Sequence, residues 1–172
     1  MTYPLLNSES FEYDIFGNKT KSVDGKGNTT LYRYTGYSKL KEVEDAKHNL
    51  TKYSYDRFGN LTRIVDALGR TAENNYDELN RLLTTTNPMV FDNEYGYDAI
   101  GNLVYKKDPN GVETNYLYQA NNRLEQMMLS QSGQASTVVD YTYDPAGYLI
   151  SVIDDQVAVY YNRIGEGETY YS

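Results

Sequence analysis

Few side chains in this sequence are of the kinds that do chemistry, and their surroundings argue against most of it. His48 is the one histidine. As a general base it would need an orienting carboxylate on one side and a hydroxyl nucleophile on the other. It stands in Asp45-Ala46-Lys47-His48-Asn49, a stretch of turn-forming types, and reads as an exposed turn residue. Carboxylates pair as Glu42 with Glu44 and as Asp154-Asp155. Glycoside hydrolysis needs two carboxyl groups flanking a cleft, and a row of short repeated segments supplies no obvious one. Asp and Gly recur together, which raises Ca²⁺ binding, but the Asp-x-Asp-x-Asp-Gly spacing of an EF-hand and the Gly-Gly-x-Gly-x-Asp nonapeptide are both missing. One carboxylate per turn is poor ligation, and capping of backbone N–H groups is the better role for these Asp side chains. With no cysteine, disulfide and thiolate chemistry are excluded. The chain is thus expected to be no enzyme, with no catalytic residue, no metal site and no cofactor.

Asn-x-Thr acceptor sequences begin at Asn18, Asn28, Asn49 and Asn60. They sit at turn ends, where a glycan fits, but the same residues follow from turn chemistry and are expected to be incidental.

The elements that position these residues are set by a clock. Tyr13, Tyr34, Tyr55, Tyr76, Tyr97 and Tyr118 are 21 residues apart, and Tyr143 follows after 25. Two residues before them stand Phe11, Tyr32, Tyr53, Asn74, Tyr95, Tyr116 and Tyr141; six after stand Lys19, Leu40, Leu61, Leu82, Leu103, Leu124 and Leu149. A period of this length marks a repeat architecture.

Within one repeat, Asp56 to Asn60 and Asp66 to Gly69 are turn signals: an Asp able to bond backbone N–H two residues on, and Gly or Asn tolerant of positive φ. The same turn signature is carried by Asp14 with Gly17, by Asp56 with Gly59 and Asn60, by Asp98 with Gly101 and Asn102, and by Asp144 with Gly147. Between turns run five to seven residues rich in β-branched and aromatic types, the length and composition of strands. No window has helical periodicity. The fold class is therefore all-β: an elongated, curved antiparallel β-sheet built from about seven tandem 21-residue β-hairpin repeats.

Residues two apart on a strand share a face, so Tyr53 and Tyr55 point the same way, and the next such pair lies two strands off, about 10 Å away. Leu61 on the intervening strand fills the gap. The expected ladder is Tyr13, Tyr34, Tyr53, Tyr55, Tyr76, Tyr95, Tyr97, Tyr116, Tyr118, Tyr141 and Tyr143 with Leu40, Leu61, Leu82, Leu103, Leu124 and Leu149, each cross-strand pair contributing about 0.2–1 kcal/mol. The four additional residues before Tyr143 are read as one longer hairpin tip around Ser130 to Ser136, since loop closure rises slowly with length.

The bulk numbers agree with a thin sheet. Among 172 residues there are 20 Tyr, 4 Phe and no Trp, a choice that suits surfaces dry on one side and wet on the other. A net charge of −8 argues against nucleic acid or an anionic membrane as partner. Residues 1–30 lack a signal peptide's apolar run, and no stretch is long enough to span a bilayer.

Tyr-x-Tyr-Asp-x-x-Gly-Asn-Leu occurs at Tyr53 to Leu61 and at Tyr95 to Leu103, with variants at Phe11 to Asn18 and Tyr141 to Leu149. This resembles the YD repeat of the Rhs family, which includes bacterial polymorphic toxin shells, cocoon-forming subunits of insecticidal Tc toxins, and teneurins. The resemblance covers residues 11–163 and implies a single repeat array with terminal segments 1–10 and 164–172. It also implies a non-catalytic role as part of a β-sheet shell enclosing an effector, or as a scaffold for protein interaction. It implies partners in further YD repeats of a larger parent chain or in an enclosed effector, and an extracellular or cell-surface location as part of a larger secreted protein.

Three departures limit the resemblance. Tyr34 to Leu40 lacks the Asp and the Gly-Asn; Asn74 replaces a first tyrosine; and Asp144-Pro145-Ala146-Gly147 begins a family-type processing core that does not continue. About fifteen strands, roughly 70 Å of sheet, are too few to close a shell, so an open sheet is expected. The alternative function is a cell-surface module binding carbohydrate on its tyrosine ladders. Unpaired edge strands near residues 3–14 and 150–161 would allow a homodimer through sheet edges or faces.

Overall fold

The computed structural model describes residues 8–89, 92–154, 157–161 and 169–171. The chain divides into two compact units, Met1–Val90 and Phe91–Ser172. In the first, β1 (Ser10–Tyr13), β2 (Lys19–Val23), β3 (Thr29–Tyr34), β4 (Leu40–Glu44), β5 (Leu50–Tyr55), β6 (Leu61–Val65), β7 (Thr71–Tyr76) and β8 (Leu82–Thr86) form one antiparallel series, in which each strand from β2 onward pairs with the one before it. The second repeats this plan with β9 (Asp92–Tyr97), β10 (Leu103–Lys107), β11 (Glu113–Tyr118), β12 (Leu124–Ser130), β13 (Thr137–Tyr143), β14 (Leu149–Ile153), β15 (Ala158–Tyr161) and β16 (Thr169–Tyr171). No helix occurs among the described residues. The all-β hairpin architecture read from the 21-residue period is the one observed.

Two turns per repeat reverse the chain, and both are one design. In the turn at Asp56, the Asp56 N–H donates to the Asn60 carbonyl (3.0 Å) and the Gly59 N–H to the Asp56 carbonyl (3.1 Å). Asp56 Oδ1 accepts the N–H groups of Phe58 and Asn60, and its Oδ2 accepts the Asn60 amide, each at 2.9 Å. The turn at Asp66 has the same bonds, with the Arg70 guanidinium replacing the amide. The fourth residue of the turn takes positive φ, as at Gly59 (89°), Gly69 (77°) and His48 (64°). That conformation explains why His48 shares a column with glycines.

A β-bulge recurs in every Tyr-Asp hairpin, and the sequence reading did not foresee it. Ser54 pairs with Arg63 and Tyr55 with Leu61, leaving Thr62 as the unpaired residue; the shift recurs at Arg33/Tyr34, Asn75/Tyr76, Leu117/Tyr118 and Thr142/Tyr143. One additional residue flips the alternation of faces. Leu61 and Ile64, three apart, therefore both oppose a tyrosine: Leu61 faces Tyr55 and Ile64 faces Tyr53.

Two expectations are adjusted. The four additional residues before Tyr143 do not all enter a hairpin tip: β12 and β13 each extend to seven residues, and the turn closes through the Gln134 N–H on the Gln131 carbonyl. The longer strands gain ladder bonds where a longer loop would gain none. The expected edge at 150–161 is covered, since β16 pairs with β15 through Val159 and Tyr171. Residues 3–7 of the other expected edge, and most of segments 1–10 and 164–172, lie outside the described residues.

There is no thick core. Among the described residues Val139 is the one buried apolar side chain, joined by Thr114 and Ser151, and no large side chain is fully buried. Stability must accumulate from neighbouring repeats.

Candidate functional site

Of the residues weighed for catalysis, His48, Glu42 and Glu44 are brought together, as an ion-pair cluster with Arg33. Arg33 bridges Glu42 and Glu44, with its Nη2 at 3.0 Å from Glu44 Oε2, and His48 Nδ1 lies 2.7 Å from Glu44 Oε1. The hydrogen bond from His48, followed by that from Arg33, holds the Glu44 carboxyl below its usual range. A carboxylate kept ionised and satisfied is a poor general acid. Asp154 Oδ1 accepts the Val157 N–H (2.6 Å), while Asp155 lies outside the described residues. Among the described residues no three His, Cys, Asp or Glu side chains gather as a metal ion would require, and no helix is long and apolar enough to cross a membrane. The glycan-acceptor asparagines Asn18, Asn28, Asn49 and Asn60 all donate their side-chain amide to a turn Asp at 2.8–2.9 Å. The nitrogen a glycan would occupy is thus a structural donor.

The tyrosines form the arrangement with the most consistent geometry. Each second tyrosine faces the leucine of its own hairpin: Tyr34 opposes Leu40, Tyr55 Leu61, Tyr76 Leu82, Tyr97 Leu103, Tyr118 Leu124 and Tyr143 Leu149. In five of them the hydroxyl reaches back to the preceding repeat. Tyr34 donates to the Lys19 carbonyl, Tyr55 to Leu40 and Tyr143 to Leu124 at 2.9 Å, and Tyr76 to Leu61 and Tyr118 to Leu103 at 3.0 Å. Tyr55, Tyr76, Tyr118 and Tyr143 thereby each tie a leucine across the hairpin to a leucine backbone one repeat earlier. The first tyrosines lie two residues back on the same strands, with Tyr53 opposite Ile64, Tyr95 opposite Lys106, Tyr116 opposite Met127 and Tyr141 opposite Val152. Where Asn74 replaces a tyrosine, its amide also donates to the Leu61 carbonyl (2.9 Å). Burial pushes the Tyr55 and Tyr118 hydroxyls above their usual pKa, which keeps both as donors. Tyr13, at the start of the series, is exposed.

The turns carry a second, longer period that the 21-residue count conceals. Gly17, Gly59 and Gly101 alternate with Ser38, Asn80 and Asn122 at the positive-φ position; Asn18, Asn60 and Asn102 alternate with Lys39, Arg81 and Arg123 at the next. Two kinds of contact result. Asn18 donates to Ser38 Oγ (3.0 Å), Asn60 to Asn80 Oδ1 (2.7 Å) and Asn102 to Asn122 Oδ1 (3.3 Å). At two other junctions a cation lies over the following glycine: a Cβ on Gly59 would stand 3.2 Å from Lys39 Cε, and one on Gly147 would overlap the Arg123 guanidinium, whereas Gly101, after Arg81, has nothing over it. Arg123 and Lys39 also lie over the Tyr143 and Tyr55 rings. The structural unit is a pair of hairpins.

Gly59→Asn is therefore expected to cost about 1 kcal/mol more than Gly69→Asn, because Asn tolerates the backbone at both sites but only Gly59 is overlain. Urea unfolding of the two variants, with and without Lys39→Ala, measures the difference, which should vanish once Lys39 is removed.

In five repeats the third turn position bears an exposed large apolar residue, Phe16, Tyr37, Phe58, Leu79 and Ile100, while Asn121 and Ala146 stand there in the last two. The sequence reading passed over this row, although its spacing of 21 was visible.

The comparisons agree with this geometry. No curated protein matches the chain in sequence. Among solved structures, a Tc holotoxin pore of Photorhabdus luminescens with a substituted TccC3 superposes with TM-score 0.73 at 18% identity, over 95% of this chain and 10% of that one. The structure of TcdB2-TccC3-Cdc42 superposes with TM-score 0.67 at 19% identity, over 94% of this chain and 9% of that one. At such identity the likeness is one of fold, and the chain spans about a tenth of the length of these structures. The family described as Teneurin YD-shell matches residues 7–164, nearly the whole chain. With its tyrosines tied to leucine backbones hairpin after hairpin, the chain belongs to the teneurin YD-shell family.

Proposed function

We propose that this chain is a non-catalytic segment of shell wall, whose work is to hold a β-sheet rigid enough to enclose or support another polypeptide. The observation that carries this reading is the tyrosine hydroxyl to leucine carbonyl bond, which recurs within both units and links a repeat to the one before it. A binding module needs one well-made site; a wall needs the same joint made many times, and that is how the recurring chemistry of the repeat is used. Extracellular placement within a larger secreted parent and contact with further YD repeats belong to the same proposal.

Limited proteolysis of the full natural chain tests it. The segment should survive within a resistant fragment together with a second, enclosed segment. That enclosed segment should become digestible when Tyr55→Ala and Tyr118→Ala weaken the wall. Free digestion of every other segment in the intact protein would overturn enclosure.

A further inference from the structure

One junction between hairpins departs from the wall design in a way that the wall does not require. The turn from Thr35 to Lys39 and the turn from Asp56 to Asn60 border an open cleft of about 870 Å³. Its charged lining is Lys39, Lys41 and Arg57 against the single carboxylate of Asp56. That carboxylate is already occupied by two backbone N–H groups and the Asn60 amide. Among the described residues no carboxylate lies within ion-pair distance of the three cations, whereas Arg33, Arg63 and Arg70 in the same unit all sit against acids. No other repeat has Lys or Arg at the position of Lys41 or at that of Arg57. On a chain of net charge −8 this is a local reversal of sign.

Two aromatic rings flank the cations. Tyr37 is 91% exposed and Phe58 60% exposed, and the Arg57 guanidinium lies 4.5 Å from the Phe58 ring centre. Exposed flat rings stack on the C–H faces of pyranoses, while Arg and Lys take carboxylate or sulfate oxygens through charge-assisted hydrogen bonds. An acidic peptide would add main-chain bonds to a free sheet edge, but the backbone at both turns is paired internally: the Thr35 and Asp56 N–H groups donate to the Lys39 and Asn60 carbonyls.

We infer that this cleft binds an acidic sugar, its ring against Tyr37 and Phe58 and its carboxylate or sulfate on Lys41 and Arg57. Sugar recognition on this reading sits at one variant junction and not on the tyrosine ladder, whose hydroxyls are committed to leucine carbonyls. It is independent of whether the wall encloses cargo.

Calorimetric titration with trigalacturonate and with a sulfated galactose trisaccharide tests the inference, with neutral galactotriose and hexaglutamate as comparisons. At least one acidic trisaccharide should bind, about tenfold or more tighter than either comparison. The doubly substituted Lys41→Gln, Arg57→Gln protein should lose about tenfold in affinity, while Lys26→Gln, at the opposite hairpin ends, should not change it. Far-UV circular dichroism establishes that the variants keep the sheet. Three results would overturn it: no binding of either acidic sugar up to about 10 mM, hexaglutamate binding as tightly as the sugar, or affinity unchanged in the double variant.

Discussion

Tyr55→Ala is expected to lose about 2 kcal/mol of stability in urea unfolding, and Tyr55→Phe about half of that. The alanine variant removes a half-buried ring that opposes Leu61 and the hydroxyl bond to the Leu40 carbonyl together. The phenylalanine variant keeps the ring and leaves the Leu40 carbonyl without its donor, so the two variants separate packing from the hydrogen bond. Tyr13→Ala, at a ring already 60% exposed, should cost less than about 0.5 kcal/mol. Equal losses at Tyr13 and Tyr55 would mean that the ladder does not hold the repeats together. Tyr118→Ala should behave like Tyr55→Ala, since its ring opposes Leu124 and its hydroxyl reaches the Leu103 carbonyl in the same way.

Acid should weaken seven of the turns together. Asp14, Asp24 and Asp45 have pKa values lowered from the usual 3.8, chiefly by the side-chain amides of Asn18, Asn28 and Asn49. Asp77 is lowered first by the Arg81 N–H. At Asp56, Asp66 and Asp98 partial burial acts in the opposite direction, and the turn hydrogen bonds outweigh it. A carboxyl whose folded pKa lies below its unfolded value stabilises the fold fully above the unfolded pKa, and that stabilisation is lost as pH falls towards the folded one. The melting temperature should thus stay level from about pH 7 to 5 and drop below about pH 4. Asp56→Asn combined with Asp98→Asn should lower it at neutral pH, because the one amide oxygen is needed by the backbone N–H groups and an NH2 donor then faces the Asn60 or Asn102 amide. The same variant should show a shallower acid drop. An unchanged acid profile would show that these turns gain nothing from ionised Asp.

The turns were legible because their chemistry is local: an Asp that reaches backbone two and four residues ahead, and a Gly that takes positive φ, are properties of five consecutive residues. Thr35 shows the limit of that reading. Without an Asp the same turn still forms, its hydroxyl accepting from the Tyr37 and Lys39 N–H groups at 3.3 and 3.2 Å. The departure seen in the sequence was a weaker version of the turn and not a break.

The sequence by itself determined the repeat length, the all-β hairpins, the shared face of each Tyr-x-Tyr pair and the absence of a thick core. These follow from short-range rules: side-chain alternation along a strand, turn chemistry, and a composition heavy in tyrosine. Only the tertiary structure decided what each tyrosine holds. The bulge at Thr62 and its equivalents resets which residues face the tyrosines, and the partner of Tyr55 is a backbone carbonyl 15 residues earlier, which no side-chain pattern announces. The pairing of hairpins through Asn60 with Asn80, and of Lys39 with Gly59, was likewise hidden, because it depends on side chains from neighbouring repeats meeting across space. So was the cationic cleft: Tyr37, Lys41, Arg57 and Phe58 are scattered over two repeats, and the strand pairing between those repeats is what places them around one opening.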